Sequence, residues 1–294
     1  MAHLRTDQAD ALLDREFRVL DKGFVRLVDY LGTDARIVQA ARVSYGEGTK
    51  TVREDAALID YLLRHKHTSP FEQVILTFHL KMPIFVARQW IRHRTARLNE
   101  ISGRYSVMKD EFYAPEPSRV QKQSQTNKQG SADEVPMELQ SQVVRTLQND
   151  QGTAYSHYQD LLEDDVSREL ARINLPLSLY TEMYWQIDLN NLFHFLRLRL
   201  DSHAQYEIRV YGEVMASMVK AVAPLAYEAF EEHILYGRSF SRGELALLLE
   251  ALDTDKLEEV LAASDMRKSR RRELLGKLEV ESKLERQKVK AEVS

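Results

Sequence analysis

The chain has 294 residues, of which 44% are hydrophobic and 29% charged, with a formal net charge of −4; this is an ordinary globular mixture with ample core, and nothing in its charge points to nucleic acid or a membrane. It contains no cysteine, which excludes disulfides, thiolate metal sites and every cysteine-nucleophile mechanism. Residues 1–18 lack the apolar core of a secretory signal, and no apolar run reaches the roughly 18–20 residues of a membrane span, so a cytoplasmic location is expected.

Val19 to Leu31 reads as a hairpin turning at Asp21-Lys22-Gly23. Asp34 to Val43 and Ala56 to Lys66 read as helices, the second with Ile59, Leu62 and Leu63 on one stripe. Ser69-Pro70-Phe71-Glu72 has the form of a capping box with proline at the first helical position, opening a short turn. Val74 to Lys81 alternates as a strand does. Pro83 starts a helix from Ile84 to about Arg92 whose expected apolar face is Ile84, Ala87 and Ile91. Thr95 to Tyr105 reads as irregular, passing into an extended piece. Pro115 to Pro136, rich in Gln, Ser, Lys and Pro, reads as a mobile loop.

Further on, Met137 to Leu162 is helical, and Ser167 is expected to cap a short helix towards Asn174 that Pro176 ends. Leu177 to Ile187 reads as a strand, Asn191 to Val222 as one long helix, and Pro224 to Tyr236 as another. From Ser241 the character changes. Ser241-Arg242-Gly243-Glu244 is a second capping box, Leu245, Leu248, Leu249 and Leu252 form a helical stripe, and Arg270 to Arg272 open a highly charged stretch.

Polar chemistry concentrates in Arg92-His93-Arg94-Thr95-Ala96-Arg97-Leu98-Asn99-Glu100-Ile101-Ser102-Gly103-Arg104-Tyr105. Such a stretch suits either a solvated basic face or a phosphate pocket made of backbone N–H, hydroxyl and guanidinium, with Gly103 permitting close approach. Arg172 and Arg199 sit in apolar company. On one continuous helix His203 would lie four residues past Arg199 on the same face, with Asp201 or Glu207 as structural partners instead. His194 and His203, nine residues apart, face opposite ways and would serve two pockets if the helix runs between two sites of a symmetric oligomer; otherwise one or both are ordinary core or surface histidines. His65 and His67 resemble a metal pair, but no third ligand is near them in sequence, and no metal is expected. Neither a P-loop nor a dinucleotide-binding Gly-x-Gly-x-x-Gly after a strand is present.

Arg92-His93-Arg94 followed after seven residues by Ser102 matches the RHR-x7-S signature, and the chain resembles the flavin-dependent thymidylate synthases. Ala41-Arg42-Val43-Ser44, His67 to Glu72, Pro83 to Trp90, Asn99 to Tyr105, Leu175 to Tyr180 and Leu198 to His203 carry the resemblance further, over roughly residues 17 to 236. The resemblance implies an α/β (α+β) fold with a mixed sheet flanked by long helices. It implies a catalytic domain over 1–240 and leaves 241–294 as an added helical extension. Implied too are FAD as cofactor, dUMP as substrate, 5,10-methylenetetrahydrofolate and NADPH as co-substrates, and a homotetramer with composite sites. Carried over by matched position, Gln89, Glu100, Ser102, Gly103, Arg104, Arg172 and Arg199 are the expected dUMP residues. Ser44, Ser69, Glu72, Arg92, His93, Arg94, Asn190, His194 and His203 are the expected flavin residues, and His67 lies near the folate and flavin rings. Arg199 and His67 are the expected catalytic pair. Without a thiol, uracil would be activated electrostatically. Ser102, flanked by Ile101 and Gly103 rather than by a base, suits a hydroxyl donor better than a nucleophile.

Overall fold

Side chains that alternate between core and open surface build the central sheet of the computed structural model, which describes residues 3–43, 52–124 and 131–278. In chain order come α1 (Asp7–Asp10), β1 (Glu16–Val19), β2 (Gly23–Leu31), α2 (Asp34–Arg42), α3 (Val52–Arg64), β3 (Ile75–Pro83), α4 (Ile84–Trp90) and β4 (Arg97–Glu100). They are followed by β5 (Gln121–Gln123), β6 (Ser131–Glu134), α5 (Met137–Glu163), α6 (Arg168–Ala171), β7 (Tyr180–Asp188), α7 (Leu189–Arg199), α8 (Tyr206–Val222) and α9 (Pro224–Phe230). The sheet order is β1-β2-β3-β7-β4. The α+β class with long helices is as expected. A mixed sheet was expected, and the pairing corrects this: every neighbouring pair is antiparallel. Antiparallel strands can keep one face wet. Leu76, Phe78 and Leu80 of β3 lie opposite Ile187, Trp185 and Met183 of β7 and are buried, whereas His79 and Tyr184 stack on the other face with ring centroids 4.7 Å apart.

α8 closes the core side. Ile208, Tyr211, Met215, Met218, Val219 and Val222 are buried along it at helical spacing. Fully burying one such side chain stabilises the fold by about 1.5–3 kcal/mol. Tyr211 donates its hydroxyl to the Lys81 carbonyl at 2.7 Å, and it passes so near the β1–β2 turn that a Cβ on Gly23 would lie 2.1 Å from its oxygen. The hairpin therefore needs glycine there.

Several local expectations are corrected. The 71–73 turn forms, but as a 3-10 turn without a side-chain cap; the Thr68 carbonyl takes the N–H groups of both Phe71 and Glu72. α4 stops at Trp90 and buries Val86, Ala87 and Trp90, leaving Ile91 exposed. Residues 97–100 form the edge strand β4. The stretch read as a mobile loop contains a 3-10 turn and the antiparallel pair β5–β6. Ser167 occupies the N-cap position of α6 but makes no side-chain cap bond. The expected long helix is two helices. α7 ends at Arg199, and Asp201 Oδ1 accepts from the His203 N–H at 2.8 Å, a side-chain turn that competes with helix continuation.

The chain divides after Tyr236 into two compact units, and residues from Gly237 onward form the second. Here α10 (Arg242–Glu250) and α11 (Thr254–Ala263) are followed by helix over 268–278. The Ser241 capping box forms both bonds: the Glu244 N–H donates to Ser241 Oγ at 3.3 Å and the Ser241 N–H to Glu244 Oε2 at 2.7 Å. Among the described residues, no helix is long and apolar enough to cross a membrane.

Candidate active site

The end of α4, the turn after it and the end of α7 converge. Gln89 lies on the last turn of α4, and the chain then bends so that the His93 N–H donates to the Trp90 carbonyl at 3.0 Å. The His93 ring packs edge-on against Phe195 at 4.8 Å and stands 6.0 Å from His194. Arg199 reaches both neighbours from α7. Its Nε–H donates to His93 Nε2 at 3.1 Å, and Nη2 donates to the Gln89 carbonyl at 3.3 Å. A guanidinium only donates, so His93 Nε2 must be the acceptor of a neutral ring. Burial first, then the charge of Arg199 and the neighbouring His194, pushes His93 down to about 4. Burial also lowers Arg199 from its ordinary value. Gln89 Nε2 donates to Gln205 Oε1 at 2.5 Å. Four expected site residues, Gln89, His93, His194 and Arg199, thus meet although the His93–Arg199 contact spans 106 positions.

A second cluster forms where residues 102–105 turn against α6 and the 3-10 turn 172–174. The Ser102 carbonyl accepts the N–H groups of Tyr105 and Ser106, and its Oγ accepts the Arg104 N–H at 3.3 Å. Gly103 is buried; a Cβ there would sit 3.0 Å from Arg172 Cδ and 3.1 Å from Met108 Sδ. A side chain at this position would press on Arg172 and Met108, which would have to shift by a few tenths of an ångström. Arg104 pairs with Glu169 at 3.3 Å. Ser102, Gly103, Arg104 and Arg172 are thereby gathered about one tight turn. Between the clusters, β4 ends at Glu100, whose Oε1 accepts the Thr181 hydroxyl at 2.6 Å.

Arg92 and Arg94 are exposed and make no ion pair among the described residues. His203 lies in the α7–α8 connection, exposed, with Nδ1 2.8 Å from Asp201 Oδ1. It is therefore not on the helix of Arg199, and His194 and His203 do not stand on opposite faces of one helix, as was expected. Asn190 is partly buried in the first turn of α7. His67 is exposed, its ring stacked 6.0 Å from Tyr61, with Ser69 and Glu72 also exposed just beyond it. The turn carrying Glu72 packs on α7 through Phe71 and Phe193, 6.5 Å between centroids. Ser44 lies outside the described residues. Sequence reasoning missed Gln205 and Thr181. Nothing local marks Gln205, since its partner is 116 residues away. Thr181 does carry a signal, being a hydroxyl in an otherwise apolar strand row.

The model of the family described as thymidylate synthase complementing protein matches residues 26–225. A flavin-dependent thymidylate synthase from Treponema denticola is 68% identical over 234 residues, covering 79% of this chain and 88% of that protein. One from Thermus thermophilus is 58% identical over 260 residues, covering 88% of this chain and 94% of the other. Among solved structures, a UMP/dUMP methylase from Streptomyces cacaoi bound with 5-Br dUMP superposes with a TM-score of 0.68 at 32% identity, covering 76% of this chain and 100% of that one. This chain belongs to the flavin-dependent thymidylate synthase family.

Proposed function

We propose that the protein methylates dUMP reductively to dTMP, with 5,10-methylenetetrahydrofolate as one-carbon donor, NADPH as reductant and FAD as cofactor. The observation that carries this reading is the junction of Gln89, His93 and Arg199, with a guanidinium held in a fixed plane by two acceptors. The polar side chains there fit a flavin. His93 is neutral at pH 7 beside His194, and Arg92 and Arg94 have no ionic partner among the described residues, leaving cationic donors for diphosphate oxygens and for a reduced, anionic ring. Arg92, His93, Arg94, Asn190, His194 and His203, with Ser44, Ser69 and Glu72, would hold it. Bound FAD, reduced by NADPH, supplies the hydride that completes the methyl group.

The chain's own groups do the rest. Ser102, Gly103, Arg104 and Arg172 hold the phosphate of dUMP, the hydroxyl and guanidiniums donating to its oxygens. Gln89 and Glu100 orient the nucleoside. Arg199 faces the uracil carbonyls and stabilises the negative charge that gathers on their oxygens in the polarised ring, the form from which C5 bonds to the methylene carbon while that carbon's bond to a folate nitrogen breaks and the C5 proton leaves to water. That charge develops after binding, so the interaction acts on the chemical step. His67 lies beside the folate. No thiol is available to add to the ring, and this electrostatic route needs none.

Shared sites in a homotetramer complete the proposal. Tyr105 and Ile173, each 76% exposed, flank Arg104 and Arg172, and a neighbouring copy that covers them would also shield the phosphate site from water. We place the protein in the cytoplasm, with no nucleic-acid partner. The test is the purified full chain. It should carry flavin absorbance bands and form dTMP, detected chromatographically, only when dUMP, methylenetetrahydrofolate and NADPH are all present. Failure to bind FAD on titration, or no dTMP from the FAD-loaded protein, would overturn the proposal.

A further inference from the structure

We infer that Thr181 is a positioning residue for the nucleotide, its buried hydroxyl aiming the Glu100 carboxylate at dUMP; the inference rests on the assignment of Glu100 to dUMP made above. Thr181, Met183, Trp185 and Ile187 form one row of β7, each no more than 2% exposed. Thr181 is the polar member. A buried hydroxyl needs a partner, and the one it has is Glu100 Oε1 at 2.6 Å. That is the short distance of a bond to a charged acceptor. If packing were all this position required, valine would fill it at nearly the same volume without a hydroxyl to satisfy.

The need lies on Glu100. β4 is a four-residue edge strand with all four residues exposed, and β7 is the strand beside it. Glu100 pairs with Met183, and the next N–H, that of Ile101, donates to the Glu182 carbonyl at 2.9 Å. The backbone of Glu100 is therefore fixed, but an exposed glutamate side chain retains its rotamer freedom unless something holds it. Thr181 holds it. The hydroxyl has one proton and spends it on Oε1, leaving Oε2 to accept from a donor on the nucleotide. Pre-orienting a substrate contact in this way lowers the ordering cost of binding.

The test uses the FAD-loaded full chain and four variants: Thr181→Val, Thr181→Ser, Glu100→Gln and the Thr181→Val/Glu100→Gln double variant. Affinity for dUMP is read by calorimetry, with FAD content and thermal midpoint measured alongside. Thr181→Val should weaken dUMP about tenfold while Thr181→Ser stays within about twofold of the parent, with FAD content and midpoint unchanged in both. In the Glu100→Gln background, Thr181→Val should cost nothing further, because the two residues act as one unit. Normal dUMP affinity in Thr181→Val alongside weak binding in Glu100→Gln would overturn the inference and leave the Glu100 assignment standing. Normal affinity in both single variants would overturn the Glu100 assignment and the inference with it. Independent, additive losses in the double variant would also overturn it, as would a serine variant no better than valine.

Discussion

Arg199 uses its planar fork twice, on His93 Nε2 and on the Gln89 carbonyl. Lysine keeps the charge but cannot span both acceptors while facing two carbonyls of a uracil. Arg199→Lys should therefore lose nearly as much as Arg199→Ala, roughly ten- to a hundredfold in kcat/KM, with kcat falling as well as KM rising; near-normal turnover in the lysine variant, measured at steady state, would show that charge alone suffices. His93 provides a pH test. Its ordinary value is 6.5 and the folded value is pushed down to about 4. Between those limits the unfolded chain binds more protons, so the part of stability that depends on a neutral His93 is present above 6.5 and is lost as pH falls towards 4. Urea melts of the flavin-free protein across that window should show a steeper loss on acidification than His93→Gln does; equal slopes would place the shift elsewhere. Arg199 stood out in the sequence because a cation sat in Phe-Leu-Arg-Leu-Arg-Leu, but its partner did not. Helical spacing points from Arg199 four residues ahead to His203, whereas the chain folds His93 onto it from 106 positions back. Periodicity reports neighbours along one element and is silent on such contacts.

At the scale of elements, β3 and β7 were legible because one face of each is buried and alternation follows. β4 was not. It is four exposed residues, Arg97 to Glu100, and pairs with a strand more than 80 positions away. The β5–β6 pair was hidden by a composition of Gln, Ser and Lys that loops share. The break between α7 and α8 was missed because Asp201 and Ser202 interrupt an apolar pattern that resumes in nearly the same phase. Of the two capping boxes read from sequence, Ser241 forms its bonds and Ser69 does not, the Thr68 carbonyl having taken the N–H groups instead. Ser241→Ala should accordingly destabilise α10 by about 1 kcal/mol. Hydrogen exchange of amides 242–250 should quicken while dUMP binding stays unchanged; protection equal to the parent would mean the cap carries no weight. In α8, buried Glu207 accepts the Tyr113 hydroxyl at 3.0 Å, and burial drives the ionisation of that phenol strongly upward. Glu207→Ala leaves the hydroxyl buried without its acceptor and should cost about 1–3 kcal/mol in urea unfolding. An unshifted urea midpoint would show that water replaces the carboxylate there.

At the scale of the whole molecule, the division after Tyr236 separates the unit that holds every described candidate residue from a helical one that holds none. A chain ending at Tyr236 should keep its FAD content and dUMP affinity; loss of either on truncation would give the extension a part in the site. If the sites are composite, mixing the inactive His203→Ala and Arg104→Ala variants should restore partial activity, provided the two residues reach one site from different chains, and an active monomer on sedimentation would rule sharing out. The central claim is that this chain carries out dUMP methylation with Arg199 stabilising the charged ring. It is tested most directly by tritium release from 5-tritiated dUMP, run with the FAD-loaded protein and its Arg199→Ala variant. The expected result is release into water that requires methylenetetrahydrofolate and NADPH and falls at least tenfold in the variant, a difference of about 1.4 kcal/mol or more. No release from the loaded parent protein, or equal release from the variant, would contradict it.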